Sequence, residues 1–204
     1  MLKRFFASMI AAGMLFSGTA SASTTYPTFV LDTASSSINL TKTSVFGRAT
    51  IDAEFAAGAD AFSWMPTGPN DMTYEGDFID WTVGGFGKTK FDVEVTLAFS
   101  APDAASGSTT GGGFAATFFG IVSGGVLTWD GPATVAFAQG SSIDVVFDGT
   151  IELGFGNSTT TGAKFIGNDI VGDIAPVPLP AAGWLLIAGV GGLGAMSRRR
   201  KKKA

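Results

Sequence analysis

Apolar and polar residues alternate along much of the middle of this chain, and the alternation has a period of two. In residues 91–97, Val93, Val95 and Leu97 fall on one side of an extended segment, and the polar residues between them fall on the other. Such segments are rich in Thr, Val, Ile and Phe, and Gly, Asn and Ser separate them. This pattern predicts β-strands that are buried on one face and solvated on the other.

Nine or ten such segments predict an all-β domain over residues 23–166. Residues 48–55 repeat the pattern, with Ile51, Ala53 and Phe55 on the inward face. Strands of this spacing favour an antiparallel β-sandwich or a jelly-roll-like domain. The predicted strands are residues 28–32, 37–42, 48–56, 73–83, 90–99, 114–122, 126–129, 133–138, 143–153 and 163–166.

Two stretches of this domain are rich in Gly, Ser and Thr. Residues 106–113 end in three consecutive glycines, and residues 157–162 contain three consecutive threonines. The glycine run lacks the Lys-Ser/Thr pair of a phosphate-binding loop. The composition predicts that both stretches are mobile loops.

The first 22 residues have the pattern of a secretory signal peptide. Lys3 and Arg4 precede an apolar stretch, residues 5–16, and the small residues Ala20 and Ala22 follow it. We expect signal peptidase to cleave after Ala22, which exports the rest of the chain.

A second apolar stretch, residues 181–196, has sixteen positions without a charge. As a helix it is about 24 Å long, short of the roughly 30 Å hydrocarbon core of a bilayer, a mismatch that flanking basic side chains tolerate. We predict a transmembrane helix over residues 181–197 with a cytoplasmic tail, 198–204. This helix is either part of a sorting signal or, as the alternative, a plain membrane anchor. The basic cluster of the tail is Arg198, Arg199, Arg200, Lys201, Lys202 and Lys203.

A proline-bearing motif precedes this helix, at the end of a predicted linker, residues 167–180. Two prolines hold the motif extended, a form that a protease cleft can bind. The motif, the Gly-rich apolar segment and the basic cluster together resemble the PEP-CTERM class of bacterial sorting signals, in its VPLPA-CTERM variant. The motif residues are Val177, Pro178, Leu179, Pro180 and Ala181.

This resemblance implies recognition by an exosortase, an integral-membrane enzyme that cuts at or near the motif. The helix then contacts the membrane at least transiently, and the expected location changes from the inner membrane to the cell surface or the extracellular space. The resemblance also implies a setting of exopolysaccharide and biofilm formation. The middle regions of the family are diverse and share no single activity.

Removal of both end segments changes the charge balance of the chain. All 17 acidic residues lie between Asp32 and Asp173, and five basic residues remain beside them, for a net charge of about −12. An acidic surface disfavours nucleic acid and anionic lipid, and it disfavours acidic polysaccharide unless divalent cations bridge the two. The chain has no cysteine, so burial of a core must stabilise the domain without disulfides.

The sequence contains neither histidine nor cysteine. This excludes Ser-His-Asp and Cys-His catalysis, zinc held by His or thiolate, haem and iron–sulfur sites. A glycosidase-like pair of carboxylates is an alternative, but regular alternation along a strand favours a solvated sheet face. The candidate carboxylates for such a pair are Asp52, Glu54, Asp92 and Glu94.

The densest acidic cluster offers the oxygen ligands that calcium prefers, although its spacing matches no standard calcium loop. We therefore expect no cofactor and retain calcium as an alternative. The cluster consists of Asp71, Glu75, Asp77 and Asp80.

Four aromatic residues, Trp64, Tyr74, Trp81 and Trp129, could stack on a sugar ring, although aromatic residues more often fill a core. Trp64 lies in a Gly/Pro-rich loop and is the one that we predict to be exposed.

Together these features predict an exported, non-catalytic β-sandwich protein of the cell surface or matrix, with a structural or exopolysaccharide-associated role. A carbohydrate-binding module is the alternative, and a glycan-active enzyme that uses carboxylates is a second alternative.

Overall fold

A computed structural model of the chain describes residues 22–118, 121–149 and 158–175, together with Gly189. The described chain divides into two compact units. In the smaller unit, β1 (Thr24–Thr25) pairs with β13 (Asp173–Ile174). The predicted signal peptide and the predicted transmembrane helix fall outside the described ranges, apart from Ala22 and Gly189. Within those ranges, no helix has the length and apolar character needed to cross a bilayer.

The larger unit, residues 26–172, is all-β with antiparallel pairing, which confirms the predicted class. Its one described helical element is a single 3-10 turn, Ala59–Ala61. Its strands are β2 (Phe29–Leu31), β3 (Ser37–Gly47), β4 (Thr50–Phe55), β5 (Ser63–Trp64), β6 (Met72–Gly84), β7 (Gly87–Ala101), β8 (Ala105–Phe118), β9 (Ile121–Trp129), β10 (Ala133–Ala136), β11 (Ser142–Phe147) and β12 (Ser158–Asn168).

Two sheets form a sandwich-like arrangement around one core. The five-stranded sheet has the order β10-β11-β12-β6-β4, and the six-stranded sheet has the order β5-β2-β7-β8-β9. The sixth strand of the latter, β3, lies beside β2 along one edge of β7, and β8 occupies the other edge. The long strand β7 is therefore paired along nearly all of its length on both sides.

Aromatic rings from both sheets build the core. Trp81 of β6 is fully buried, and its ring centroid lies 5.9 Å from that of Phe91 on β7. Its indole Nε1 donates a hydrogen bond to the Thr161 hydroxyl at 2.9 Å, so the polar atom of this buried ring is satisfied. Phe165 of β12 stacks on Phe62 at 4.1 Å. The Trp81–Phe91 contact joins the two sheets without any covalent cross-link.

The prediction of a mobile loop over residues 106–113 is wrong. These residues belong to β8, which pairs with β7 on one side and with β9 on the other. The predicted single strand 114–122 is also wrong, because β8 ends at Phe118 and β9 begins at Ile121. Composition suggested a flexible loop, but all of residues 106–113 pair with β7, and residues 111–113 also pair with β9, so the stretch is extended.

Aromatic side chains compensate for the missing side chains of β8. Phe91 lies directly opposite Gly113, and Trp129 lies directly opposite Gly111. A Cβ atom added at Gly113 would lie 2.0 Å from the Val126 carbonyl oxygen, and one at Gly111 would lie 2.9 Å from the Trp129 ring. Glycine is therefore required here by close packing.

The prediction of a loop over residues 157–162 is wrong for the part that the structure describes. β12 begins at Ser158 and pairs with both β11 and β6, so it is an inner strand of its sheet. Thr161 is buried as a result. Its hydroxyl accepts the hydrogen bond from Trp81 described above.

We predict that Gly113→Ala lowers the free energy of unfolding by about 1–3 kcal/mol, because the new methyl group collides with a backbone oxygen of β9. Gly131→Ala is the matched control, since no atom lies within 4 Å of a Cβ atom built there. Urea denaturation of both variants measures the difference. Equal stability of the two variants would contradict the packing described here.

Candidate functional site

A groove of about 440 Å³ lies on the outer face of the six-stranded sheet. The alternation of β7 directs Asp92 and Glu94 outward, and both side chains are exposed. The strand register adds Thr41 opposite Asp92, and Asn39 and Thr110 on either side of Glu94. The full lining is Asn39, Thr41, Asp92, Val93, Glu94, Thr110, Gly111 and Asp130.

Hydrogen bonds fix one wall of this groove. The Thr110 hydroxyl donates to Asp130 Oδ2 at 2.6 Å, and the Asp130 backbone N–H donates to the Thr110 carbonyl oxygen at 2.9 Å. In the neighbouring cross-strand pair of Asp92 and Gly112, Asp92 Oδ1 lies 2.9 Å from the position of a Cβ atom built on Gly112. The glycine thus leaves room for the carboxylate to lie over β8.

The groove presents hydrogen-bonding groups beside apolar surface of similar extent. Carboxylate oxygens accept hydrogen bonds, hydroxyl groups accept or donate them, and the Asn39 amide does both. This set suits a ligand with many hydroxyl groups. Asp92 and Glu94 are both exposed to solvent at this face.

The second pair of candidate carboxylates lies on the other sheet. Asp52 and Glu54 belong to β4, and Asp52 Oδ1 lies 2.8 Å from the Lys42 ammonium group in a salt bridge. Lys42 Nζ also donates to the Ile51 carbonyl oxygen at 3.0 Å. Lys42 therefore ties an edge of one sheet to an edge of the other. The two pairs of carboxylates do not form one site.

The calcium candidates are spread along β6 and the turn before it. Asp71 accepts hydrogen bonds from the Thr67 N–H and the Met72 N–H, each at 2.8 Å, and these bonds lower the pKa of Asp71. From Asp71 to Asp80, an extended chain covers roughly 30 Å. Among the described residues, no three carboxylates are grouped closely enough to hold a metal ion. Glu75, half-buried, and Asp77, which accepts from the Thr160 hydroxyl, complete the set.

The prediction that Trp64 is exposed is wrong. It is only 8% exposed, and its ring centroid lies 5.7 Å from that of Phe29. The cause is the pairing of β5 with β2, which turns the indole into the core. Of the other aromatic candidates, Trp81 is fully buried, Trp129 is half-buried and Tyr74 is exposed.

A contact between Tyr74 and Asp148 was not predicted from the sequence. The Tyr74 hydroxyl donates to Asp148 Oδ2 at 2.6 Å, and Trp129 Nε1 donates to the Asp148 carbonyl oxygen at 3.1 Å. The contact depends on Gly162, where a Cβ atom would lie 2.3 Å from the Tyr74 oxygen. The register of β12 shifts at this glycine. A lone glycine after three threonines was the available signal in the sequence.

The groove also contains residues that the sequence did not single out. Asn39, Thr41, Thr110 and Asp130 join Asp92 and Glu94 only through the strand register, which no short-range pattern reveals. The predicted sorting residues 177–181, the basic cluster 198–203 and Ala20 lie outside the described residues.

Comparisons with known proteins add no assignment. No protein-family model, curated protein or solved structure matches the chain.

The Tyr74–Asp148 contact predicts a shifted titration. The hydrogen bond to Asp148 raises the pKa of Tyr74 above its ordinary value of 10.0, because it favours the neutral phenol. Its stabilisation is complete below pH 10 and is lost as the pH rises through the pKa of the folded state.

Tyr26→Phe leaves Tyr74 as the single tyrosine, so its phenolate absorbance can be followed alone. We expect Asp148→Asn in this background to lower the midpoint. A midpoint that does not move would contradict the hydrogen bond.

Proposed function

We propose that this chain is an exported, non-catalytic protein that an exosortase sorts to the cell surface or the extracellular matrix. The single observation that carries the proposal is the sorting-type sequence of residues 177–203. It combines the Val-Pro-Leu-Pro-Ala motif, an uncharged Gly-rich segment and six consecutive cations. Its resemblance to VPLPA-CTERM signals supports a proposed setting of exopolysaccharide and biofilm formation.

The proposed organisation has a transport segment on each side of the domain. Residues 1–22 direct export, and the domain ends in a linker that presents the motif to the exosortase. Residues 181–197 then hold the chain in the membrane as a helix until the cut. The proposal includes a jelly-roll-like topology for the β-sandwich domain.

A non-catalytic role is supported by the chemistry of the residues. The chain lacks histidine, the commonest general base, and cysteine, the most nucleophilic of the ordinary side chains. The carboxylates Asp92 and Glu94 are exposed on a regular sheet face. Display or binding is therefore a better match to this domain than turnover.

The sorting proposal predicts a defined mature mass. From the native host, we expect a chain that begins near Ser23 and ends at or near residues 177–181. Pro178→Ala combined with Pro180→Ala should block cleavage, because the motif loses its extended form, and the protein should then keep residues 198–203. Pro132→Ala, at an exposed turn, is the control and should be processed normally.

Intact-mass spectrometry of the three proteins decides this point. A wild-type protein that retains residues 198–203 would support a permanent anchor and would refute sorting by cleavage.

A second candidate function is binding of a neutral glycan in the groove on the outer sheet face. The observation that favours it is the set of exposed carboxylate, amide and hydroxyl groups around a groove of about 440 Å³. Sugar hydroxyl groups donate well to carboxylates, and hydrogen bonds to charged groups are the stronger kind. No flat aromatic platform lines this groove, so hydrogen bonds must supply the affinity.

For this candidate we predict that Asp92→Asn with Glu94→Gln weakens glycan binding at least about tenfold, through the loss of charge-assisted hydrogen bonds. Asp80→Asn with Glu54→Gln is the matched control, because it removes the same charge from the other sheet and leaves the Lys42–Asp52 salt bridge intact. Calorimetric titration with neutral oligosaccharides measures both. Equal weakening by the two double variants would mean that the net charge of the protein, and not the groove, controls glycan binding. Release of cleaved sugar by the wild type would support the enzymatic alternative.

A further inference from the structure

Three apolar side chains project into solvent at one end of the larger unit. Val45 is 52% exposed, Phe46 is 57% exposed and Phe86 is 46% exposed. Val45 and Phe46 lie near the end of β3, and Phe86 lies in the turn between β6 and β7. The ring centroids of Phe46 and Phe86 are 6.5 Å apart. We call these three residues the apolar tip. Contiguous exposed apolar groups of this kind mark interaction surfaces.

The backbone beneath the apolar tip is held in a fixed form by glycines. Gly47, Gly85 and Gly87 have φ values of 75°, 76° and 127°, in the region that favours glycine. A Cβ atom at Gly85 would lie 2.0 Å from the Arg48 carbonyl oxygen, and the Arg48 N–H donates to the Phe86 carbonyl oxygen at 2.6 Å. The two turns therefore touch backbone to backbone. The apolar side chains project from a close-packed base.

Basic residues lie near the apolar tip in a domain that is otherwise acidic. Of the five basic residues between Ser23 and Pro176, Arg48 bonds to the Phe86 backbone, Lys88 pairs with Phe46, and Lys90 follows Lys88 by two residues on β7. Lys88 pairs with Phe46 across the sheet, and its ammonium group lies 4.1 Å from the Phe114 ring centroid. In the part of the chain that the structure describes, the only salt bridge is Lys42–Asp52, so none of these three cations forms a salt bridge with a described carboxylate. Net charge alone predicts repulsion of anionic lipid, but three of the five basic residues of the domain lie toward this end.

We propose that the apolar tip docks on an anionic phospholipid bilayer. Val45, Phe46 and Phe86 enter the interfacial layer, and Arg48 and Lys88 contact lipid phosphates. The acidic remainder of the domain is repelled by the same surface, so it orients the tip toward the membrane.

The shape of the apolar tip favours a bilayer over a sugar chain. The Phe46 and Phe86 rings meet at 78°, so they do not form the flat platform on which a sugar ring stacks. Val45 adds a branched aliphatic group, which gains more from an apolar medium than from a sugar. A contact of this kind is independent of residues 181–196 and would keep the domain at a membrane after their removal.

The test uses a fluorescent probe on the full-length chain in vesicles. Because the chain has no cysteine, Val45→Cys gives a single site for a polarity-sensitive dye. Ala104→Cys is the matched control, since it is exposed at the far end of the β7–β8 hairpin. Each labelled protein is reconstituted in phosphatidylcholine vesicles with and without phosphatidylglycerol, and lipid-borne nitroxide quenches any dye that reaches the bilayer.

We expect quenching at position 45 only when the anionic lipid is present, and none at position 104. Arg48→Gln and Lys88→Gln should each weaken this partition about fivefold, by the loss of one cation at the surface. Lys164→Gln, on β12, should leave it unchanged. Phe46→Ser should abolish quenching while the circular dichroism of the protein stays the same.

Three results would overturn the proposal. The first is equal quenching at positions 45 and 104, which would mean that the helix alone brings the domain near the bilayer. The second is a response at position 45 to acidic polysaccharide and not to phosphatidylglycerol. The third is a response that depends on protein concentration without lipid, which would identify a contact between copies of this chain.

Discussion

Close approach of backbone to backbone at glycine is the constraint on which this fold depends. At Gly113 the carbonyl oxygen of Val126 occupies the space of a side chain, and Phe91 lies over the gap from the neighbouring strand. At Gly111 the Trp129 ring lies in the space that a side chain on residue 111 would need. Because no disulfide reinforces the domain, these glycine–aromatic pairs and the buried rings of both sheets must hold the sandwich together.

The sequence correctly predicted features that depend on residues close together in the chain. Alternation in β7 gave the correct buried face, with Val93, Val95 and Leu97 inside. It did not predict the first part of β8, residues 105–113, because glycine composition indicates flexibility unless the aromatic partners on other strands are known. Burial of Trp64 was missed for the same reason, since it depends on the pairing of β5 with β2.

The residues of the candidate groove also fall into those that the sequence predicted and those that it missed. Asp92 and Glu94 were identifiable from alternation, whereas Asn39 and Asp130 reach the groove through strand register and through the end of β9. Register depends on contacts between residues that are distant in sequence. In the proposed account, one close-packed core carries a polar groove on a sheet face and an apolar, basic tip at one end, and the segments at 1–22 and 177–203 determine where those surfaces are displayed.

The measurement that tests this account most directly is hydrogen exchange of the β8 backbone amides. If residues 111–113 are an inner strand packed against aromatic rings, their amides should exchange only through global unfolding, as slowly as those of residues 91–97 on β7. If they exchange as fast as the amides of Asp103 and Ala104, in the turn before β8, the glycine stretch is a loop after all and the packing that supports both proposed surfaces is wrong.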